Sequence, residues 1–156
     1  MRWLLFTAVA LAAAAPGAVA QTMAEGEVQP TEVFRKIDDP QVFRDFGELP
    51  GLRRIMDDFM VNLLADPRTR PFFEPVDQQR VKDQLVEQFC DIMQGGCVYQ
   101  GATMKDIHAG RDINRANFFA LVEALQLAMN KHKVPFRSQN KLLAVLAPMH
   151  RDIVTR

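Results

Sequence analysis

Apolar positions along this chain fall at helical spacing and almost nowhere else. Leu52, Ile55, Met56, Phe59, Met60 and Leu63 form one stripe on a helix that opens near Pro50 and stops at Ala65–Asp66–Pro67. Val81, Leu85, Phe89 and Ile92, with Met93 alongside, form a second stripe behind Asp77, a capping residue, and Gly95–Gly96 ends it. A shorter helical piece carries Met104, Ile107 and His108; Met104 and His108 are four apart and share a face. Asn114 caps a long helix with Phe118, Leu121, Val122, Leu125 and Met129 inward. Ser138 caps a last helix with Leu142, Val145, Leu146, Met149 and Ile153 inward, and Pro148 kinks or divides it. Upstream, Glu32–Ile37 reads as a short helical piece, and Val42, Phe43 and Phe46 give a short apolar face before Gly47. No useful run of period-two alternation and no repeat is present, so the fold class is all-α.

The stretch RPFFEP, Arg70 to Pro75, sits between the first two stripes. Its prolines forbid a long helix. Loops avoid paired phenylalanines, so at least one of Phe72 and Phe73 should turn inward.

The ends of the chain read differently. Met1–Arg2–Trp3 is a basic start, Leu4 to Ala15 an apolar run, Pro16–Gly17 a break, and Ala18–Val19–Ala20 a small-residue cleavage site. That is the layout of a secretory signal over residues 1–20. The run is short and Ala-rich for a membrane span, which needs about 20 apolar residues. The chain is therefore expected to be exported, periplasmic or secreted, with no stable membrane insertion after cleavage; an uncleaved anchor is the alternative. Residues 21–40 begin with the polar QTMAEGEVQPT and read as a flexible arm, leaving 41–156 as one globular domain.

The 156 residues carry 19 basic and 19 acidic side chains, and loss of Arg2 with the signal leaves a net charge of −1. A chain so balanced has no electrostatic reason to bind nucleic acid. Cys90 and Cys97 lie seven residues apart around Gly95–Gly96. Export would permit a disulfide, but spacing alone leaves the bond open. The pair fits neither a zinc pattern nor the CxxCH of covalent haem attachment.

His108 is one of three histidines. A histidine at a helix end is most often a cap or a half-buried surface group. No second histidine at helical spacing supports zinc, and no nucleophile is visibly paired with it. One chemistry wants a lone histidine on a helix with apolar neighbours: haem iron, with an imidazole below it and a greasy slot around it. Eleven Phe and eight Met fit such a slot, although stripes of these residues also build ordinary cores.

Three pieces together carry a resemblance. They are PGLRRIMDDFMVNLLADPRTRPFF, GGCVYQGATMKDIHAGRDINRANFFALVEAL and APMHRDIV, in that order and at that spacing. From about Gln41 to Val154 the chain resembles the truncated haemoglobins of the first group. The resemblance implies a two-over-two helical sandwich enclosing haem b. It makes His108 the proximal iron ligand and Phe73 the phenylalanine against the haem face. Met104, Ile107, Phe118 and Leu121 match pocket-lining positions. Tyr99 and Lys82 match positions near the haem propionates, where a lysine charge would suit; a solvated helix face is the equal alternative for Lys82.

The sequence departs from the family on the distal side. Met60 stands where a tyrosine usually points at the gas, and Val81 and Leu85 stand where glutamines assist. The distal pocket is thus expected to be apolar. O₂ gathers negative charge when held, and losing a hydrogen bond to it costs about 1.5–3 kcal/mol. O₂ should therefore be held weakly, with CO and NO less affected. A one-residue gap in the alignment would instead bring Lys82 and Val86 over the iron, and Gln84 and Gln88 lie one step off the apolar stripe, from where they could swing in through a water. Gly47–Glu48 replaces the usual glycine pair before the second helix, and Gly110–Arg111–Asp112 a more glycine-rich turn.

The expected function is reversible binding of a diatomic gas, O₂, NO or CO, for oxygen binding, transport or sensing, with a redox partner conceivable. Two rivals stand beside it: an NO dioxygenase or peroxidase-like enzyme at the same haem, and a haem-free helical interaction module.

Overall fold

The structure is a computed structural model and describes residues 32–156. The expected signal and the first part of the arm lie outside the described residues. Four long helices frame the domain: α2 (Glu48–Ala65), α4 (Gln78–Ile92), α6 (Arg115–Lys131) and α7 (Phe136–Leu146). Short ones join them: α1 (Pro40–Asp45), α3 (Arg70–Phe73), α5 (Met104–His108) and α8 (His150–Ile153). The described residues contain no strand. This is the all-α, two-over-two sandwich that the periodicity and the resemblance predict.

Helix α2 is the centre of the packing, against α4 on one side and α6 on the other. Its predicted stripe is buried throughout, from Leu52 to Leu63. Burying a side chain of this size stabilises by about 1.5–3 kcal/mol, so the stripe fixes how α2 sits. The Asn62 amide adds a directed tie, donating to the Ala124 carbonyl of α6 at 3.0 Å. Small residues let the two helices approach: Ala120, Ala124 and Ala128 are all buried on α6.

The caps follow the sequence in most places. The Asp77 carboxylate accepts from the Arg80 N–H at 3.0 Å, and Asn114 and Asn117 close a reciprocal capping box. Pro148 divides the last helix, with a 3₁₀ turn over Ala147–Met149 between α7 and α8. Cys90 and Cys97 form a disulfide, their Cα atoms 5.6 Å apart.

Several expectations are corrected. Glu32–Ile37 is irregular, not helical. Six residues gain too little from internal bonds to nucleate a turn, and here their backbone bonds outward, Ile37 N–H to the Ile92 carbonyl at 2.9 Å. Within the expected arm of residues 21–40, the described residues include Phe34 and Ile37, which are buried in the core. Ser138 is not the cap of α7, which begins two residues earlier behind Pro135; its hydroxyl instead donates to Asp45 at 2.5 Å. Helix α4 does not end on a glycine. Its left-handed residue is Gln94, with φ of 57°, and Gly95 N–H closes back to the Cys90 carbonyl at 2.8 Å. Glu48 and Asp112 likewise take left-handed conformations beside Gly47 and Gly110, which is how two glycine-poor turns keep their shape.

Candidate functional site

A cavity of about 390 Å³ opens between α4, α5 and α6, with α3 closing one end and α8 another. Its wall is mainly apolar, which is the composition of a site for a large flat hydrophobic molecule. Among the residues singled out from the sequence, Phe73, Val81, Leu85, Tyr99, Met104, Ile107, His108, Phe118 and Leu121 all line it. Phe72 lines it too, so both phenylalanines of RPFFEP turn inward. Their short helix is held by Thr69, whose buried hydroxyl donates to the Leu63 carbonyl at 2.6 Å.

Met60 and Lys82 do not line the cavity. Met60 is packed in the core and its neighbour Phe59 reaches the wall. Lys82 turns away onto α2, where its ammonium pairs with Asp57 at 2.6 Å. A charged amine gains more from an exposed carboxylate than from an apolar slot. Val81 and Leu85 turn into the wall, and neither Lys82 nor Val86 does.

The wall is less apolar than the stripe suggested. Gln84 and Gln88 line the cavity beside Val81 and Leu85, so positions 81, 84, 85 and 88 form its α4 face. Gln88 is 4% exposed, and its amide nitrogen faces the Met104 sulfur at 3.6 Å and the Met149 sulfur at 4.0 Å. Thioethers are weak acceptors, which leaves this amide with donor capacity in a dry space. The sequence had placed both glutamines one step off the apolar stripe of α4, and they reach the wall because core face and cavity face overlap at residues 81 and 85. Arg80 and Arg111 also reach the wall, and these two sequence reasoning missed. Surface arginines carry no local signal until the fold brings two to one opening.

Of the three histidines, His108 alone is in the wall. His132 binds Asp58 at 2.7 Å, and His150 lies edge-on to Phe118 at 5.1 Å. The Nδ1 of His108 is 2.7 Å from the Met104 carbonyl. A carbonyl only accepts, so the proton sits on Nδ1 and Nε2 keeps its lone pair. Burial pushes the His108 pKa below the ordinary imidazole value and the Arg111 charge adds to this, against the opposing Met104 bond. A neutral imidazole with a fixed tautomer and a free Nε2 is the form that ligates a metal. Among the described residues no group of three His, Cys, Asp or Glu side chains is gathered as a metal cage. The donor set therefore fits an iron that arrives with its own macrocycle: one imidazole, an apolar slot, and two guanidiniums for peripheral carboxylates.

Tyr99 is buried, and its hydroxyl is committed to the Ala102 carbonyl at 2.9 Å. Gly101 passes so close that a Cβ there would stand 2.1 Å from the Gln84 side-chain oxygen and 2.2 Å from the Tyr99 hydroxyl. That turn can only be glycine while the wall keeps its present shape.

Comparison with known proteins bears on this arrangement. Residues 41–155 match the bacterial-like globin family. A group 1 truncated haemoglobin of Mycolicibacterium paratuberculosis is 30% identical over 122 residues, 78% of this chain and 90% of that protein. One from Tetrahymena pyriformis is 22% identical over 119 residues, 76% of this chain and 98% of the relative. The Fe(III) crystal structure of truncated haemoglobin from Tetrahymena pyriformis superposes with a TM-score of 0.70 at 21% identity, covering 74% of this chain and 98% of that one.

Proposed function

This chain belongs to the bacterial-like globin family as a group 1 truncated haemoglobin, and from that premise we propose that His108 is the sole protein ligand to the iron of a haem b seated in the α4–α6 cavity. The family binds diatomic gases through haem. The single observation that carries the finer reading is the His108 geometry: a neutral ring in an apolar wall, its Nδ1 tied at 2.7 Å to Met104 and its Nε2 unprotonated. Bound there, the iron would offer an open coordination position at which O₂, CO or NO is held. Phe73 and Phe118 supply flat apolar contact, Arg80 and Arg111 meet carboxylates at the rim, and Gln84 and Gln88 give the cavity two carboxamides.

Hemin titration tests this directly. The wild-type chain should develop a Soret band at one equivalent, and His108→Ala should lose the histidine-ligated ferrous spectrum. Free imidazole should restore it in the variant. A His108→Ala spectrum identical to wild type would reject the assignment.

Residues 1–20 are proposed as a cleaved signal that takes the chain to an oxidising compartment. The Cys90–Cys97 bond supports this, because such bonds persist outside the reducing cytosol. Among the described residues no helix is long and apolar enough to cross a membrane. Mass spectrometry of the chain from its native cell should find the N-terminus at Gln21; an intact Met1 would oppose it.

A further inference from the structure

A segment outside the family match holds the helix that carries His108. Residues 32–37, which form neither helix nor strand, run over the end of α4 and the loop beyond it. Ile37 donates to the Ile92 carbonyl at 2.9 Å, and the Gln94 side chain donates to the Ile37 carbonyl at 2.9 Å. Lys36 pairs with Asp91 at 2.6 Å. Phe34 is buried edge-on against Tyr99 at 5.1 Å. At the near end of this strap, the Glu32 carboxylate accepts the Met104 N–H at 2.7 Å, across 72 residues of sequence.

The physics of α5 makes that last contact matter. A helix of five residues does not persist on its own. Its first N–H groups have no partner within the helix. The Thr103 hydroxyl accepts from Asp106 N–H at 3.1 Å, and Glu32 takes the Met104 N–H. A carboxylate at this end also meets the positive pole of the helix. The carbonyl of Met104 in turn accepts from His108 Nδ1. Glu32, Met104 and His108 are thus joined through a single residue, each contact 2.7 Å long.

We infer that Glu32 is a positioning residue for His108: the N-terminal strap clamps the first turn of α5 and so fixes the imidazole that faces the iron. The second half of this statement rests on the haem reading above. The clamp itself is a property of the polypeptide and is tested without haem.

Full-length Glu32→Ala and Glu32→Gln chains are compared with wild type, with and without hemin. In the hemin-free chains, amide exchange over residues 103–108 should quicken about tenfold in Glu32→Ala, as loss of a charge-assisted hydrogen bond implies. Residues of α2 and α6 should exchange unchanged. Glu32→Gln keeps an acceptor oxygen and should recover most of the protection. In the loaded chains, Glu32→Ala should release hemin to an acceptor apoglobin about tenfold faster and shift the ferrous iron–histidine stretching band, with Glu32→Gln in between. Unchanged exchange over 103–108 in Glu32→Ala overturns the clamp. Faster exchange with an unaltered stretching band and unaltered hemin release overturns the positioning role. A wild-type chain without a Soret band overturns the haem reading and Glu32's role toward iron, while the exchange result still decides the clamp.

Discussion

Lys133 shows how a single residue keeps a helix end working at a cost. It sits at φ of 57° just past α6, where Val134 N–H returns to the Met129 carbonyl at 3.0 Å and Lys133 N–H to the Asn130 carbonyl at 3.0 Å. That closure wants a left-handed residue, which costs a side-chain-bearing residue about 1–2 kcal/mol relative to glycine. Part of this is offset because glycine adds freedom to the unfolded chain, about 0.4–1 kcal/mol. Lys133→Gly should therefore stabilise by about 0.5–1 kcal/mol, read as a rise of a few degrees in the thermal midpoint; a lower midpoint would contradict it. Gly51 is the converse case. A Cβ there would stand 2.0 Å from the Phe46 carbonyl oxygen, a backbone atom that cannot swing aside. Gly51→Ala should destabilise by about 1–3 kcal/mol in a urea melt, despite alanine's better helix propensity. Neither effect is legible in the sequence, where Lys133 looks like any surface lysine and Gly51 like a weak point in a helix. His108 was legible only through the family resemblance, since a lone histidine at a helix end is by itself most often a cap.

At the scale of elements, the link from α4 to α5 joins the two sides of the cavity. It is fastened by the Cys90–Cys97 bond, by Tyr99 on Ala102, and by the strap. Closing a loop of this length removes about 2–3 kcal/mol of unfolded-chain freedom on the entropic account. Cys97→Ser, or reduction of the bond in wild type, should lower unfolding stability by about that amount. Reductant should then have no further effect on the variant, and a variant as stable as oxidised wild type would refute the argument. Sequence left this bond open because seven residues can join or splay; only the turn at Gln94 to Gly96 brings the two sulfurs together. The two-faced helix α4 was half legible for a similar reason. Its apolar stripe is real, but the cavity face takes in Gln84 and Gln88, and no period marks where core ends and cavity begins.

Across the whole molecule, α2 and the end of α6 are tied by Asp58, which holds Lys131 at 2.6 Å and His132 at 2.7 Å. The Lys131 ammonium, followed by the His132 bond, keeps the Asp58 carboxyl below the ordinary range against the opposing cost of burial. A carboxyl lowered in the folded state contributes stability that is present above its unfolded value, about 4, and is lost as pH falls through the folded value. Acid titration of folding stability should thus steepen below about pH 4 in wild type and flatten there in Asp58→Asn. An identical acid limb in the two chains would show that the tie is screened by solvent and contributes nothing.

The sequence by itself determined the all-α fold and the buried stripe of α2, because these rest on periodicity, which is local; His108 and most of the apolar wall around it were marked by the family resemblance, which reads motifs and their order and not spacing alone. Tertiary structure alone decided that Lys82 leaves for Asp57, that two arginines reach the cavity, which of the sequence's alternatives the two glutamines take, and that a strap from residue 32 braces the helix of His108. Each of those depends on which of several available partners lies within a few ångströms after folding, and hydrogen-bond energies fall away too steeply with distance for sequence spacing to choose among them.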